Sequence, residues 1–324
     1  MFGRKETNIL VVKTDSLAGF VAAEPVFAAI REAHPHSKIS LLTIPPLQRI
    51  ARASPYFDQV AGVQDMRNPE ARKEFIKQLK NAKFEKIYDL AADDTAKKLQ
   101  SAMGPFGPKW FGASPAPRSR RTEGFGSQRL PVMDKVIAEA GLSAEPRLPD
   151  LRWAMTARKD SANMKPAWYG ITGAFGLLMP GPAEDQRWSV PGYAGLASIM
   201  ATEGFMPVLV GPKELHDFGD AIADISPQLV DLTGKTDHLQ LAALAHESSF
   251  FVSDGAEEID LAVSVGCEGV LITKPGTPAP DGRHVVTLTS GSGLASVDHA
   301  FVWRTLWNMG LIDKRDGAPK TASA

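Results

Sequence analysis

Short apolar runs alternate with amphipathic stretches along most of the chain. The apolar runs are too short for helices and are bounded by polar residues or glycine, which is typical of buried parallel strands. In the first half the predicted strands are residues 8–12, 39–43, 60–63 and 85–90. In the second half they are residues 176–179, 206–210, 229–232, 249–252, 269–273 and 285–287. This alternation predicts an α/β fold built on parallel sheets.

Amphipathic helices are predicted between these strands, because apolar residues recur there at helical spacing. The clearest are residues 17–33, 46–53, 71–81, 128–140, 193–200 and 297–309. Pro25 is expected to kink the first of them, and Asp237 is expected to cap another at its N-terminus. Residues 104–126 are rich in Pro, Gly, Ser and Arg and predict a long surface loop.

Polar loops follow several of the predicted strands. In open α/β sheets, ligands bind where the carboxyl ends of strands face helix N-termini. Candidate ligand-binding loops are therefore Lys13–Ser16, Pro180–Gly181, Gly211–Pro212, Thr233–Lys235 and Asp254–Gly255.

Length, composition and charge indicate a globular protein of two domains. A chain of 324 residues is expected to form two domains, and 44% hydrophobic with 23% charged residues is typical of globular proteins. The net charge of −1 gives no global basic field, so nucleic acid is not an expected partner. The single cysteine, Cys267, fits a reducing compartment and a buried apolar role. No apolar stretch has the length of an export signal or a membrane span, so neither is expected.

One local basic cluster, Arg118-Ser-Arg120-Arg121, departs from this even distribution of charge. It favours a solvated loop, and the alternative is a contact with an anionic acceptor or a membrane surface.

Motifs in the second half carry a resemblance to a known family. The sequence contains Leu232-Thr-Gly-Lys-Thr236, then Leu241-Ala-Ala-Leu244, Val252-Ser-Asp-Gly255 and Leu261-Ala262. This order resembles the C-terminal domain of family-nine glycosyltransferases, the lipopolysaccharide heptosyltransferase family. Near the N-terminus, the stretch from Val11-Val-Lys13 through Ala18-Gly19 to Glu24-Pro25 is similar to the opening of the same family.

The resemblance implies a GT-B architecture, in which two Rossmann-like domains face a cleft. Residues 1–165 would form the acceptor domain and residues 166–324 the nucleotide-sugar domain, with the terminal helix crossing back to the first. The implied reaction moves a heptose-like sugar from a nucleotide sugar, such as ADP-heptose, to lipopolysaccharide or another envelope glycan. It implies no metal and no cofactor, a cytoplasmic location, and peripheral contact with the inner membrane surface.

The acceptor side of the implied site centres on the loop after the first strand. The family's catalytic base is the aspartate of a Gly-Asp pair, and Gly19 stands at its place in this sequence. Asp15 is the candidate base in the same loop; otherwise it is a turn or capping residue. Asp93 and Asp94 are rival carboxylates. The other acceptor-binding candidates are Lys13, Ser16 and Arg120.

The donor side would be formed by loops of the second domain. Its candidate residues are Gly181, Arg187, Gly211, Pro212, Lys235, Asp254 and Gly255. The family's Lys-x-Trp signature keeps Trp188 but has Gln186 in place of lysine, so Arg187 either substitutes for the missing cation or makes a surface ion pair. Lys235 serves either the ligand or its own turn.

A further departure follows Asp254-Gly255, where Asp260 replaces the family's histidine and Glu257 and Glu258 precede it. These acids either repel a nucleotide diphosphate or point to solvent from the first turn of a helix. Three functions remain open: a glycosyltransferase, a catalytically degenerate family member acting as a binding or assembly protein, and a sugar-nucleotide epimerase.

Overall fold

The computed structural model describes residues 7–64, 68–104, 107–112, 131–143, 147–157, 161–184, 187–277 and 285–312. The described residues up to Gly112 and from Pro131 to Trp153 form one compact unit, and those from Ala154 onward form a second. Arg120 and Gln186 lie outside the described residues. Among the described residues, no helix combines the length and the apolar character needed to span a membrane.

The first unit contains a five-stranded parallel sheet in the order β3-β2-β1-β4-β5. The strands are β1 (Asn8–Lys13), β2 (Lys38–Thr43), β3 (Gln59–Gly62), β4 (Lys86–Asp89) and β5 (Lys109–Phe111). The helices are α1 (Leu17–Ala22), α2 (Glu24–Ala33), α3 (Gln48–Ala53), α4 (Pro69–Asn81), α5 (Asp94–Met103) and α6 (Pro131–Ala140). One side of the sheet buries Leu10, Val12 and Ile87 against Phe75 of α4 and Leu99 of α5.

Two elements of this unit differ from the sequence prediction. The predicted helix 17–33 is two helices that meet at Ala23, because Pro25 lies in the first turn of α2, where its missing N–H leaves no hydrogen bond unmade. Strand β5 lies inside the predicted loop 104–126. Its three residues pair with β4, and only Phe111 is buried, so the sequence shows too short an apolar run to reveal it.

The second unit contains a six-stranded parallel sheet in the order β11-β10-β9-β6-β7-β8. The strands are β6 (Phe175–Met179), β7 (Met206–Leu209), β8 (Val230–Asp231), β9 (Phe250–Ser253), β10 (Gly269–Thr273) and β11 (Val285–Thr289). After the short helix α7 (Trp153–Ala157), the helices are α8 (Val190–Thr202), α9 (His216–Ala223), α10 (His238–Glu247), α11 (Ile259–Ser264) and α12 (His299–Asn308).

The division between the units falls after Trp153 rather than near residue 165. Glu24 of α2 is buried and accepts hydrogen bonds from Arg147 Nη2 (2.7 Å) and from the backbone N–H of Asp150 (3.1 Å). The Trp153 ring packs edge-on against Tyr56, with ring centroids 6.1 Å apart. These contacts attach residues 147–153 to the first unit.

The apolar face of the terminal helix α12 is buried within the second unit. Val302 and Leu306 are fully buried, and they join Leu311 and Ile312 in the core that lies between α8 and the sheet. Their spacing places both on the face that meets α8 and β10.

Candidate functional site

Two loops meet at the carboxyl edge of the first sheet. Strands β1 and β4 are parallel neighbours, with Val12 opposite Asp89, so the loops that follow them leave the sheet side by side. The fully buried Lys13 ammonium donates to Asp15 Oδ2 (2.9 Å) and to the carbonyl of Leu90 (3.0 Å). The Thr14 hydroxyl donates to Asp93 Oδ2 (2.7 Å). Hydrogen bonds therefore fix the loop after β1 to the loop after β4.

Burial and charge compete at this edge. Burial lowers the pKa of Lys13, and the carboxylates of Asp15, Asp89 and Asp93 oppose that shift. Burial also raises the pKa of Asp89, against the effect of the N–H groups of Ala92 and Ala91 that donate to it. A buried lysine without a carboxylate partner would be strongly destabilising. The Lys13–Asp15 pair is thus the electrostatic centre of this edge.

Gly19 makes room for the carboxylate of Asp15. Ser16 caps α1, since its Oγ accepts the N–H of Gly19 (3.1 Å), and this turn places Asp15 beside the first helical turn. A Cβ at position 19 would overlap Asp15 Oδ2 and lie 2.8 Å from Asp15 Cγ. The carboxylate therefore occupies the place where a side chain at position 19 would begin. Its Oδ1 has no hydrogen-bond partner within the described part of the chain.

The rival carboxylates have other roles. Asp93 caps α5, its Oδ1 accepting the N–H of Ala96 (2.8 Å) while its Oδ2 holds Thr14. Asp94 is largely exposed and pairs with Lys97 at 3.1 Å. Asp15 Oδ1, in contrast, is a buried carboxylate oxygen with no hydrogen-bond partner among the described residues.

In the second unit, Asp254 joins the loops after β9 and β6. Its Oδ1 accepts the N–H of Gly181 (2.5 Å) and its Oδ2 accepts the N–H of Trp188. Burial raises the pKa of Asp254 to about 6, although both N–H donors favour the ionised form. With both oxygens bound inside the protein, Asp254 fixes the loop after β9 to the loop after β6.

Two glycines allow these loops to approach. A Cβ at Gly181 would lie 3.1 Å from Asp254 Oδ1 and 3.2 Å from the carbonyl carbon of Gly255. Gly255 has a φ of 134°, which is strained for other residues. The two glycines predicted at this edge are therefore adjacent in space.

Arg187 binds the loop after β6. Its Nε donates to the carbonyl of Gly181 (2.8 Å) and its Nη2 to the carbonyl of Pro182 (2.9 Å). The guanidinium also lies over the Phe218 ring, 4.6 Å from its centroid. From the sequence, Arg187 is expected either to replace the missing lysine or to form a surface ion pair, and this arrangement is neither. The guanidinium donates to backbone carbonyls, whose positions cannot be inferred from a hydrophobicity pattern.

The loops after β7 and β8 are joined in the same way. The N–H of Gly234 donates to the carbonyl of Gly211 (2.8 Å), and Gly234 has a φ of 68°. Pro212 opens the short turn that leads to α9. The Lys235 ammonium donates to the carbonyl of Asp231 (2.7 Å). Lys235 therefore serves its own turn.

The structure thus brings the predicted donor residues together along one sheet edge, on the four adjacent strands β9, β6, β7 and β8. It does not present Arg187 or Lys235 as free cations there. Glu257 is exposed, and burial raises the pKa of the adjacent Glu258, which precedes α11.

One residue near this edge was missed from the sequence. Burial lowers the pKa of His238, which begins α10, while Asp237 and Glu257 oppose the shift. Its position directly after the capping residue Asp237 is the signal that could have indicated it.

Comparisons with known proteins establish the fold. No protein-family model matches the chain, and no curated protein matches it. Among solved structures, the E. coli ADP-heptose lipopolysaccharide heptosyltransferase II has a TM-score of 0.73 at 17% identity, covering 94% of this chain and 98% of that one. A family-nine glycosyl transferase from Veillonella parvula DSM 2008 has a TM-score of 0.71 at 15% identity, covering 94% and 97%. The E. coli heptosyltransferase WaaC with ADP-2-deoxy-2-fluoro heptose has a TM-score of 0.70 at 14% identity, covering 94% and 100%.

At these identities the likeness concerns the fold alone. The chain is an α/β protein with two parallel sheets, as in GT-B heptosyltransferase structures, and the likeness in fold covers 94% of the chain.

Proposed function

We propose that this protein is a glycosyltransferase that moves a heptose-like sugar from a nucleotide sugar to lipopolysaccharide or another envelope glycan. The fold supports the transferase class, and a structure of that fold was solved with an ADP-heptose analogue. We place the reaction on the cytoplasmic side of the inner membrane, with peripheral contact between the protein and the membrane that holds the acceptor. The transfer would require no metal ion.

The observation that carries the proposal is the placement of Asp15. A carboxylate is fixed at the carboxyl edge of the first sheet by a buried lysine and lies against a glycine, and its Oδ1 is buried with no hydrogen-bond partner among the described residues. Such an arrangement suits a general base, because the carboxylate has a defined orientation and its side chain, which is 26% exposed, is open to an acceptor hydroxyl.

In the proposed reaction, Asp15 accepts the proton of an acceptor hydroxyl while that oxygen bonds to the anomeric carbon of the donor. The bond between this carbon and the diphosphate breaks, and the nucleoside diphosphate leaves with the electron pair. Lys13 holds the carboxylate in position through its hydrogen bond to Oδ2. Because Lys13 is fully buried, it acts on the acceptor side only through Asp15, and Ser16 and Arg120 are the proposed acceptor-binding residues.

The donor is proposed to bind at the carboxyl edge of the second sheet. Gly181, Gly211, Pro212 and Gly255 lie in loops at this edge that lead to helix N-termini, where backbone N–H groups can bind phosphate oxygens. Pro212 has no N–H, and the N–H of Gly181 is held by Asp254, so these two residues shape the loops. Asp254, Arg187 and Lys235 contribute indirectly, since each holds a loop in place through backbone groups.

Replacement of Asp15 by asparagine tests the catalytic assignment. General-base assistance contributes ~10² to 10⁴-fold, so Asp15→Asn should lower turnover by roughly that factor and leave donor affinity nearly unchanged. Turnover with an ADP-heptose and lipopolysaccharide-core pair should be measured beside donor binding by calorimetry. Asp94→Asn is the matched control because the same charge is removed from an exposed position nearby. Unchanged turnover in Asp15→Asn would exclude Asp15 from the mechanism.

The second candidate function is that of a catalytically degenerate family member, which binds its ligand in envelope-glycan synthesis without transferring sugar. It is favoured by the engagement of Arg187 and Lys235 with backbone carbonyls, which occupies hydrogen-bond donors of both cations within the protein. Calorimetry across a panel of nucleotide sugars distinguishes the two functions. Binding without turnover for every donor and acceptor pair would support this candidate over the transferase.

A further inference from the structure

Three metal-ligating side chains lie together beside the edge strand of the second sheet. His216 and Asp220 are one turn apart on α9, and Asp231 ends β8. One ligand atom from each residue lies within 4.8 Å of the other two. We propose that these residues bind a divalent transition-metal ion of the zinc and cobalt type. The inference is independent of the proposed transferase function, and no step of sugar transfer is assigned to this ion.

The chemistry of the ligand set selects this class of ion. An imidazole nitrogen with two carboxylate oxygens suits Zn²⁺, Co²⁺ and related ions, whereas Mg²⁺ and Ca²⁺ prefer oxygen ligands alone. Ligand bonds of ~2.0–2.2 Å place donor atoms roughly 3–4 Å apart around such an ion. His216 Nδ1 and Asp231 Oδ2 are already 3.2 Å apart. The ligand atom of Asp220 lies within 4.8 Å of both.

The strand ligand is held in place by its own loop. Asp231 Oδ1 accepts the N–H of Thr233 (2.8 Å), and this leaves Oδ2 directed to His216. The carbonyl of Asp231 accepts the Lys235 ammonium (2.7 Å). Such supporting hydrogen bonds orient metal ligands and raise metal affinity. They give Lys235 a defined part in the site.

A glycine brings the helix ligands within reach of the strand. Gly219 is buried on α9, and a Cβ there would lie 2.9 Å from Leu209 Cδ2 and 3.2 Å from the Asp231 carboxyl carbon. Any larger residue would move α9 away from β8 and separate the ligands. His216 and Asp220 are exposed, so the remaining coordination positions are open to water or to an oxyanion.

Cobalt binding to the full chain tests the site. After removal of metals with a chelator, Co²⁺ should add a visible absorption band with a stoichiometry of one ion per chain, and Zn²⁺ should displace it. His216→Ala and Asp220→Asn should each weaken Co²⁺ binding by ~100-fold or more, because each removes a direct ligand. All three ligands are near the surface, and thermal unfolding of each variant checks that the chain still folds.

Asp217→Asn is the matched control. Asp217 lies on the same helix, is exposed, and loses the same charge as Asp220, but it is not a member of the cluster. Its Co²⁺ affinity should stay within ~2-fold of the wild type. His36→Ala, an exposed histidine of the first unit, controls for loss of an imidazole. The proposal is overturned if the wild type binds no stoichiometric Co²⁺, if His216→Ala keeps the band, or if Asp217→Asn weakens binding as much as Asp220→Asn.

Discussion

At the scale of single residues, the site depends on small side chains that leave room for charged ones. Gly19 lets Asp15 lie over the first turn of α1, and Gly181 lets Asp254 reach the loop after β6. Compared with the family that the sequence resembles, Gly19 stands where the catalytic aspartate is expected, so the sequence alone indicates the loss of the carboxylate. In space, the carboxylate of Asp15 occupies that position, so residues 15 and 19 act as a pair.

Gly19→Ala tests this pairing. The new Cβ would overlap Asp15 Oδ2 and displace the carboxylate from Lys13. Because alanine favours a helix by ~0.5–1 kcal/mol over glycine, the backbone itself does not resist the change. Turnover should fall at least ~10-fold, with donor affinity unchanged, as for the loss of a positioned base. The double variant Asp15→Ser, Gly19→Asp should recover part of the lost turnover. Full turnover in Gly19→Ala would show that the position of Asp15 is irrelevant.

The buried Asp254 should make stability depend on pH. Its pKa of about 6 lies above the ordinary value of 3.8, so between these values the unfolded chain has lost a proton that the native protein retains. The free energy of unfolding therefore falls as pH rises through this window and levels off above it. At ~1.36 kcal/mol per pKa unit, the contribution is ~3 kcal/mol.

Urea unfolding of the wild type and Asp254→Asn across this pH range measures the effect. The variant does not titrate at this position, so the wild-type stability relative to the variant should drop by ~3 kcal/mol between about pH 4 and pH 7. A difference that is constant with pH, or that grows as pH rises, would contradict the assignment of the raised pKa to Asp254.

Residue roles were only partly predictable from the sequence. The loops that contain Asp15, Gly181 and Asp254 follow from the strand pattern, because ligand-side loops come after strands. What each side chain binds does not follow, since Arg187 and Lys235 donate to backbone carbonyls whose positions are set by tertiary structure.

At the scale of elements, the tryptophan of the signature is a packing residue that fixes α8. Trp188 is fully buried, and its Nε1 donates to the carbonyl of Val297 (3.0 Å). The indole lies directly on Gly192 in the first turn of α8. Trp188 thereby links the loop after β6 to the segment that leads into α12.

Gly192→Ala tests this packing. Glycine to alanine within a helix ordinarily stabilises a protein by ~0.5–1 kcal/mol. Here the added Cβ would lie 2.7 Å from Trp188 Nε1, and overpacking of a filled core costs ~1–3 kcal/mol. Denaturant unfolding should therefore show a net loss of ~1–2 kcal/mol. Equal stability of Gly192→Ala and the wild type would contradict the proposed contact.

Elements with a strong apolar pattern were predicted well, and short ones were not. The long strands of both sheets are visible as apolar runs, since both of their faces are buried. Strand β5 escaped prediction because it has only one buried residue, and the division of the first helix required knowledge of where Pro25 falls within a turn.

At the scale of the whole molecule, the alternation of strands and helices predicted two α/β units but not their exact limits. The boundary after Trp153 depends on Glu24, Arg147 and Tyr56, which are distant in sequence and give no local signal. The terminal helix shows the same limit, because its apolar face alone does not specify which sheet it covers.

The assignment of the donor site to the second unit predicts which backbone amides a bound nucleotide protects from hydrogen exchange. The proposed donor site uses only the carboxyl edge of the second sheet, where the loops after β6, β7, β8 and β9 are adjacent. Hydrogen exchange of the full chain with ADP should therefore slow amides in residues 180–184, 211–215, 233–237 and 254–258. The loop Lys13–Ser16 of the first unit should exchange at the same rate with and without ADP, because the nucleotide has no proposed contact there.

The same experiment on Asp254→Asn supplies the control. Asparagine offers one oxygen to the two N–H groups of Gly181 and Trp188, so the loop after β6 should exchange faster and its protection by ADP should weaken. The loop after β8, which Lys235 holds independently, should keep its protection. Protection confined to the first unit, or none at saturating ADP, would contradict the assignment of the donor to the second sheet.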